Sequence, residues 1–201
     1  MWAVIGLGNP GRRYARTRHN VGFIFVRGMA DRRGVRIKRR KYMARIAEIK
    51  MNDETLFLAQ PQTYMNRSGL AVRKIVQGYK LAPRDLIIVY DDLDIPLGQI
   101  RVRREGSAGS HRGLSSVIEE LETQSFPRIR VGIGPLADRE KAVRFVLAPF
   151  GSEEIPLLEK GLDKAGKALA MILDGRVEAA MSAFNQKDRQ PEDNSEKKHS
   201  H

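Results

Sequence analysis

The feature that most constrains this chain is the run Leu86-Ile87-Ile88-Val89-Tyr90, which is almost wholly apolar and shows no alternation. Such a run predicts a strand covered on both faces, as in the parallel or mixed sheets of α/β proteins. Trp2 to Gly6 reads as a second short buried strand. It is stopped by Gly8-Asn9-Pro10-Gly11, where glycine admits positive φ and Pro10 has no N–H for a ladder. Met43 to Met51 and Thr55 to Ala59 read as a hairpin around Asn52-Asp53, while Gln99 to Arg104 and Arg128 to Ile133 alternate like further strands. Helical spacing appears between them. One helix starts at Asn20, a fitting N-cap, and stops by Gly34; Ser68 fits the cap of a second, carrying Leu70, Val72, Ile75 and Val76. A short helix with Leu114, Val117, Ile118 and Leu121 comes after a glycine-rich loop. The last two run from about Ser152 to Asp174 and onward from Gly175. Strands interleaved with helices predict an α/β sandwich around a mixed sheet.

The 201 residues contain no internal linker, so residues 1–185 are expected to form one domain. From Gln186 onward no apolar side chain occurs and four basic residues balance four acidic ones, which predicts a polar, disordered tail over 186–201. No window approaches the ~18–20 apolar residues of a membrane span, and the first apolar run meets Asn9-Pro10-Gly11 too early for a signal peptide. A cytoplasmic protein without a membrane partner is expected. The absence of cysteine removes disulfides, thiolate nucleophiles and thiolate zinc sites. Two of the four histidines lie in the tail, so a histidine-based site must use His19 or His111.

The net charge is +12, and the balanced tail contributes none of it. Between Arg27 and Arg45 nine basic residues face one acid, Asp31; Arg101, Arg103, Arg104, Arg112, Arg128 and Arg130 add more. A lone basic run is often only a solvated face, but several separated runs point to a polyanion, with nucleic acid foremost. No zinc-finger spacing, heptad or RNP-type aromatic run says which one.

Three constellations bear chemistry. Gly6-Leu7-Gly8-Asn9-Pro10-Gly11 has the G-x-G-x-x-G form, yet the segment Arg12 to Arg18 lacks an apolar helical face, and the candidate acid, Asp31, falls inside a predicted helix. A dinucleotide site is therefore disfavoured. His19 sits in a polar loop, either as a surface residue or as a base. A base needs a partner to fix its tautomer, and Asp91, at the end of the Leu86–Tyr90 strand, meets it if that strand lies parallel and adjacent to Trp2–Gly6. Asp91, Asp92 and Asp94 could alternatively hold Mg²⁺ in a metal nuclease. In an extended segment, however, Asp92 and Asp94 face one side and Asp91 the other. Asn66, ahead of a capped helix, is either a turn residue or an amide that orients a carbonyl or a water.

Taken together, Gly6 to Gly11, Tyr14, Thr17-Arg18-His19-Asn20, Pro61 to Gly69, Asp91-Asp92-Leu93-Asp94 and Gly106 to Gly113 resemble the bacterial peptidyl-tRNA hydrolase family, in order and spacing, over residues 1 to about 185. The resemblance implies a single-domain three-layer α/β/α sandwich around a mixed, mostly parallel twisted sheet. It also implies a cytosolic monomer that cleaves the ester joining a peptide to the 3′ end of tRNA, with no cofactor or metal. On the same ground His19 matches the catalytic histidine, Asp91 the carboxylate that orients it, and Asn9 and Asn66 the asparagines that hold substrate and water. Tyr14, Tyr64 and Met65 match the substrate cleft, and Arg101, Arg103, Arg128 and Arg130 a basic patch associated with the tRNA 5′ phosphate. One position departs: where the family commonly has His-Asn-Gly, this chain has His111-Arg112-Gly113. Arginine supplies no acceptor, so Arg112 is expected to contact an acceptor-end phosphate and to stand outside the catalytic set. A non-catalytic RNA-binding protein on the same fold is the competing class.

Overall fold

The computed structural model describes residues 1–51 and 53–186. Its strands are β1 (Trp2–Gly6), β2 (Arg39–Lys41), β3 (Ala44–Met51), β4 (Glu54–Pro61), β5 (Leu86–Pro96), β6 (Ile100–Arg103) and β7 (Arg128–Gly134). Its α-helices are α1 (Val21–Asp31), α2 (Ser68–Tyr79), α3 (Arg112–Leu121), α4 (Ala142–Leu147), α5 (Ile155–Leu173) and α6 (Val177–Phe184). The expected tail lies outside the described residues apart from Gln186, as does Asn52 of the expected Asn52-Asp53 turn.

The strands form one sheet in the order β2-β3-β4-β1-β5-β7-β6. Its centre, β4-β1-β5-β7, is parallel, and both flanks are antiparallel. The two-residue period of a strand divides the core between two faces. Val4, Ile87, Val89, Ile129 and Val131 pack against α1 and α5. Ala3, Ile5, Ile88 and Tyr90 pack against α2 and α3. Three layers result, and the unbroken apolar run of β5 is explained by cover on both sides.

Several local expectations are corrected. β5 does not stop at Tyr90 but stays paired with β7 through Asp91 and Asp92, so the carboxylates belong to a strand. β2 is an additional strand whose basic sequence, Arg39-Arg40-Lys41, carries no apolar alternation to betray it. Asn20 and Ser68 do not cap. Asn20 stands at the N-cap position of α1 without a capping bond, because its side chain is engaged elsewhere. Ser68 is the first helical residue of α2, fully buried, and its Oγ has no partner among the described residues.

Candidate active site

The site is built at the carboxyl end of β1 and the middle of β5, its parallel neighbour, just past their last paired residues, Gly6 and Val89. Here α1 approaches the sheet unusually closely. A Cβ on Gly6 would strike the backbone of Gly22, and one on Gly22 would strike Leu7 and the Val89 carbonyl. The glycine pattern of the first turn therefore serves helix-on-strand contact. That contact brings the 3₁₀ turn Arg18–Asn20, just ahead of α1, to Asp91 at the middle of β5. Arg18 fixes the turn from behind: its guanidinium donates to the Pro149 carbonyl (2.7 Å) and Glu154 (2.6 Å) and lies 4.4 Å over the Phe145 ring.

His19 Nδ1 lies 2.9 Å from both oxygens of buried Asp91. His111 Nε2 lies 3.0 Å from Asp91 Oδ1. Burial alone would raise the Asp91 pKa, but the two imidazoles outweigh it and hold the carboxyl well below its ordinary range. An ionised carboxylate only accepts, so both facing ring nitrogens carry hydrogen. His111 Nδ1 also accepts the Leu114 N–H (3.1 Å) as the N-cap of α3, so the ring is held at both nitrogens. His19, with Nδ1–H spent on Asp91, keeps an Nε2 lone pair on a ring that lines a cleft of about 650 Å³.

Asn9 is held with equal care. Its Oδ1 accepts the Met65 N–H (2.8 Å), and its backbone N–H and carbonyl are both bonded to the Asn20 side chain (2.8 and 3.0 Å). With its oxygen occupied, Asn9 has only its NH₂ to offer the cleft it lines. Met65 is buried in the wall, and its sulfur occupies the place a side chain on Gly113 would need. Tyr64 and Asn66 stand exposed on the same wall. Tyr14 does not line the cleft. It ends the 3₁₀ turn Arg12–Tyr14, with the Arg13 guanidinium 4.6 Å over its ring.

The aspartates divide as strand periodicity requires. Asp92 pairs with Arg130 and Asp94 with Arg139, while Asp91 alone meets the imidazoles. A three-carboxylate Mg²⁺ site is not formed. Among the described residues one set, His19, Asp91 and His111, has potential ligand atoms within 4.8 Å of one another. Those atoms are already joined by N–H···O bonds, and an ion would have to displace them.

Arg101 faces Arg130 and Arg103 faces Arg128 across β6 and β7, on the sheet face that bears Tyr90. Like charges set opposite one another repel. Arg130 is relieved by Asp92. Arg128 is relieved by burial among backbone carbonyls, donating to Gly106 (2.6 Å), Gln124 (2.6 Å) and Phe126 (3.4 Å). Its place in the expected phosphate patch is thereby corrected: at 1% exposure Arg128 is a structural cation. Arg101 and Arg103 are half-buried and form no ion pair among the described residues. Arg112, the exposed first residue of α3, lies on the cleft wall.

Sequence reasoning missed three supporting residues. His111 was visible as one of only two histidines outside the tail, but nothing in its spacing told that it shares Asp91. Asn20 reads as a cap, and Arg18 stands in the Thr17–Asn20 motif with no role of its own.

The family model described as peptidyl-tRNA hydrolase matches residues 3–192. A peptidyl-tRNA hydrolase of Desulfitobacterium hafniense is 45% identical over 186 residues, covering 92% of this chain and 100% of its own length. That of Alkaliphilus metalliredigens is 40% identical over 185 residues, with the same coverage. The crystal structure of peptidyl-tRNA hydrolase from Acinetobacter baumannii superposes with a TM-score of 0.85 at 35% identity, covering 90% of this chain and 93% of that one. A peptidyl-tRNA hydrolase in complex with N-propanol gives 0.87 at 34% identity, covering 94% and 97%. By the family match and the shared fold, with the motifs around His19 and Asp91 in place, this chain belongs to the peptidyl-tRNA hydrolase family.

Proposed function

We propose that this chain hydrolyses the ester between a peptide and the 3′ ribose of tRNA, using a water activated by His19 and no metal. The observation that carries the reading is the His19–Asp91 pair, which leaves one imidazole lone pair facing a cleft with cations on its rim. His19 Nε2 takes a proton from water as its oxygen attacks the ester carbonyl. Asp91 stabilises the imidazolium, with His111 steadying Asp91. The Asn9 NH₂ donates to the developing oxyanion. On collapse, the imidazolium returns the proton to the ribose 3′ oxygen, leaving a free acid and an intact tRNA 3′ hydroxyl. General-base assistance is worth roughly 10² to 10⁴ in rate, and one oxyanion donor roughly 10² to 10³.

Tyr64, Met65 and Asn66 form the wall that receives the acyl and terminal nucleotide groups, while Arg101, Arg103, Arg130 and Arg112 take phosphates of the acceptor end. A monomer working in the cytoplasm fits this role; among the described residues no helix is long and apolar enough to cross a membrane. A non-catalytic RNA-binding role is not favoured, since it would give the buried carboxylate and its two imidazoles no task.

The test is release of N-blocked amino acid from N-blocked aminoacyl-tRNA in EDTA, with the tRNA then run on a gel. Turnover with intact tRNA by the native chain, and its loss in His19→Ala with tRNA binding retained, is expected. Turnover by His19→Ala removes the mechanism; shortened tRNA would indicate a nuclease.

A further inference from the structure

The basic run at 27–45 takes no part in the active site. In the fold it forms the C-terminal part of α1, the loop after it and the β2–β3 hairpin at the far edge of the sheet from β6. Some of its cations are engaged. Arg32 lies 3.5 Å from Asp163, Arg33 donates to the Lys50 carbonyl (3.3 Å), and the Lys41 ammonium lies 4.4 Å over the Tyr42 ring. Arg39, Arg40 and Arg45 are exposed and form no ion pair among the described residues. Arg40 stands directly opposite Arg45 across the antiparallel ladder, a like-charge pair that repels.

The turn of this hairpin is also costly. Tyr42 and Met43 have φ of 52° and 56°, the left-handed region that two-residue hairpin turns normally fill with Asn or Gly. It is held there by an anchor. The Tyr42 hydroxyl donates to the Gly78 carbonyl (3.0 Å), and its ring meets Tyr79 edge-on at 5.2 Å, in space that a side chain on Gly78 would fill. Tyr79 in turn stacks on Phe57 of β4 at 3.8 Å. A basic projection is thus kept in one orientation at the expense of backbone strain.

Its position relates it to the cleft. Ala44 pairs with Pro61, the last residue of β4, and β4 runs parallel to β1. The hairpin tip therefore lies at the same end of the sheet as Asp91, and the cleft residues Tyr64 to Asn66 come directly after β4. Arg101 and Arg130 flank the cleft on the other side. From β2 to β6 there are six inter-strand steps, or about 29 Å at ~4.8 Å each. Cations thus rim the catalytic end of the sheet on both flanks.

We propose that the β2–β3 hairpin is a second tRNA-binding surface, in which Arg39, Arg40 and Arg45 contact backbone phosphates of the tRNA body on the flank of the cleft opposite Arg101 and Arg130. The assignment rests on peptidyl-tRNA being the substrate. Edge-strand cations can also serve only to keep two sheets from pairing, and the experiment separates the two roles.

The test compares the native chain with the triple variant Arg39→Gln/Arg40→Gln/Arg45→Gln on two substrates. One is full-length N-blocked aminoacyl-tRNA; the other is the same ester on a trinucleotide with the tRNA 3′ sequence. Each phosphate contact contributes roughly 0.7 to 0.9 to the slope of log affinity against log salt. The variant is expected to raise KM for full-length tRNA about tenfold, to lower that slope by about two, and to leave kcat and the trinucleotide reaction unchanged. The triple Arg→Lys variant, which keeps the charges, should retain native KM; where the triple glutamine variant does not fold, Arg39→Gln and Arg45→Gln singly should each lower the salt slope by roughly 0.7 to 0.9. Unchanged KM and salt slope, with or without self-association of the variant, overturn the proposal. So does an equal loss on both substrates, or a loss in the lysine variant as large as that in the glutamine variant. A native chain inactive on both substrates would instead overturn the hydrolase reading itself.

Discussion

His111 and His19 donate to the same carboxylate: Nε2 of the first lies 3.0 Å, and Nδ1 of the second 2.9 Å, from Asp91 Oδ1. Because the far nitrogen of His111 caps α3, its ring cannot turn without uncapping the helix. Asp91 is thereby aimed by one imidazole so that it can aim the other.

His111→Ala should therefore lower kcat while leaving tRNA affinity near native. A hydrogen bond to a charged group is worth about 1.5–3 kcal/mol, or roughly ten- to hundredfold in rate. His111→Asn, which offers both an acceptor for the Leu114 N–H and a donor, should recover part of the loss. Steady-state kinetics on both variants check this; equal kcat in native and His111→Ala proteins would deny His111 a part.

Asp91 also sets a pH dependence of stability. Its folded pKa lies below the unfolded value of about 3.9, so between the two the unfolded state binds more protons and stability falls as pH falls. The contribution is complete above about pH 5 and drains away through pH 4 and below. Urea unfolding at a series of pH values should show a gap between native and Asp91→Asn proteins that narrows on acidification. A gap constant from pH 6 to pH 3 would contradict the assignment.

Asn9→Asp keeps the oxygen that accepts the Met65 N–H but replaces the NH₂ that faces the cleft. The turn should survive and the reaction should not: kcat should fall by roughly 10² to 10³ or more, with the melting temperature nearly unchanged. Loss of folding together with activity would assign Asn9 a purely structural role.

Arg128 and Arg103, cross-strand partners, should behave oppositely. Arg128→Ala strands the Gly106 and Phe126 carbonyls, takes one of two donors from that of Gln124, and should cost about 2–4 kcal/mol of stability while leaving the salt slope of tRNA binding unchanged. Arg103→Gln should lower that slope by roughly one and leave stability within about 0.5 kcal/mol. Chemical denaturation and salt-titrated binding measure both.

Chelation tests the metal-free mechanism. Millimolar EDTA should leave turnover within about twofold, whereas Zn²⁺, which prefers imidazole and carboxylate ligands, should inhibit by taking His19 and His111 from Asp91. Abolition of turnover by EDTA, restored by a divalent ion, would refute the proposed water activation.

The layers of this fold and its central strands were legible because apolar period and glycine punctuation are local signals. The pairing of His19 with Asp91, 72 positions apart, was inferable from one topological condition, adjacency of β1 and β5, which the sheet satisfies. What stayed hidden was a matter of side-chain destination. Asn20 has the composition of a cap and the job of a clamp, and Arg128 reads like Arg103 until burial separates them. β2 escaped notice because an edge strand of cations has no buried side to pattern.

The continuous pairing of β5 through Asp91 and Asp92 turns two adjacent, chemically identical carboxylates into parts with unrelated duties, one serving imidazoles and the other Arg130. Strand parity assigns those duties, so inserting or deleting one residue upstream in β5 would exchange them, much as a frameshift rewrites a message without altering its letters. Tolerance to substitution along this strand should therefore far exceed its tolerance to any change in length.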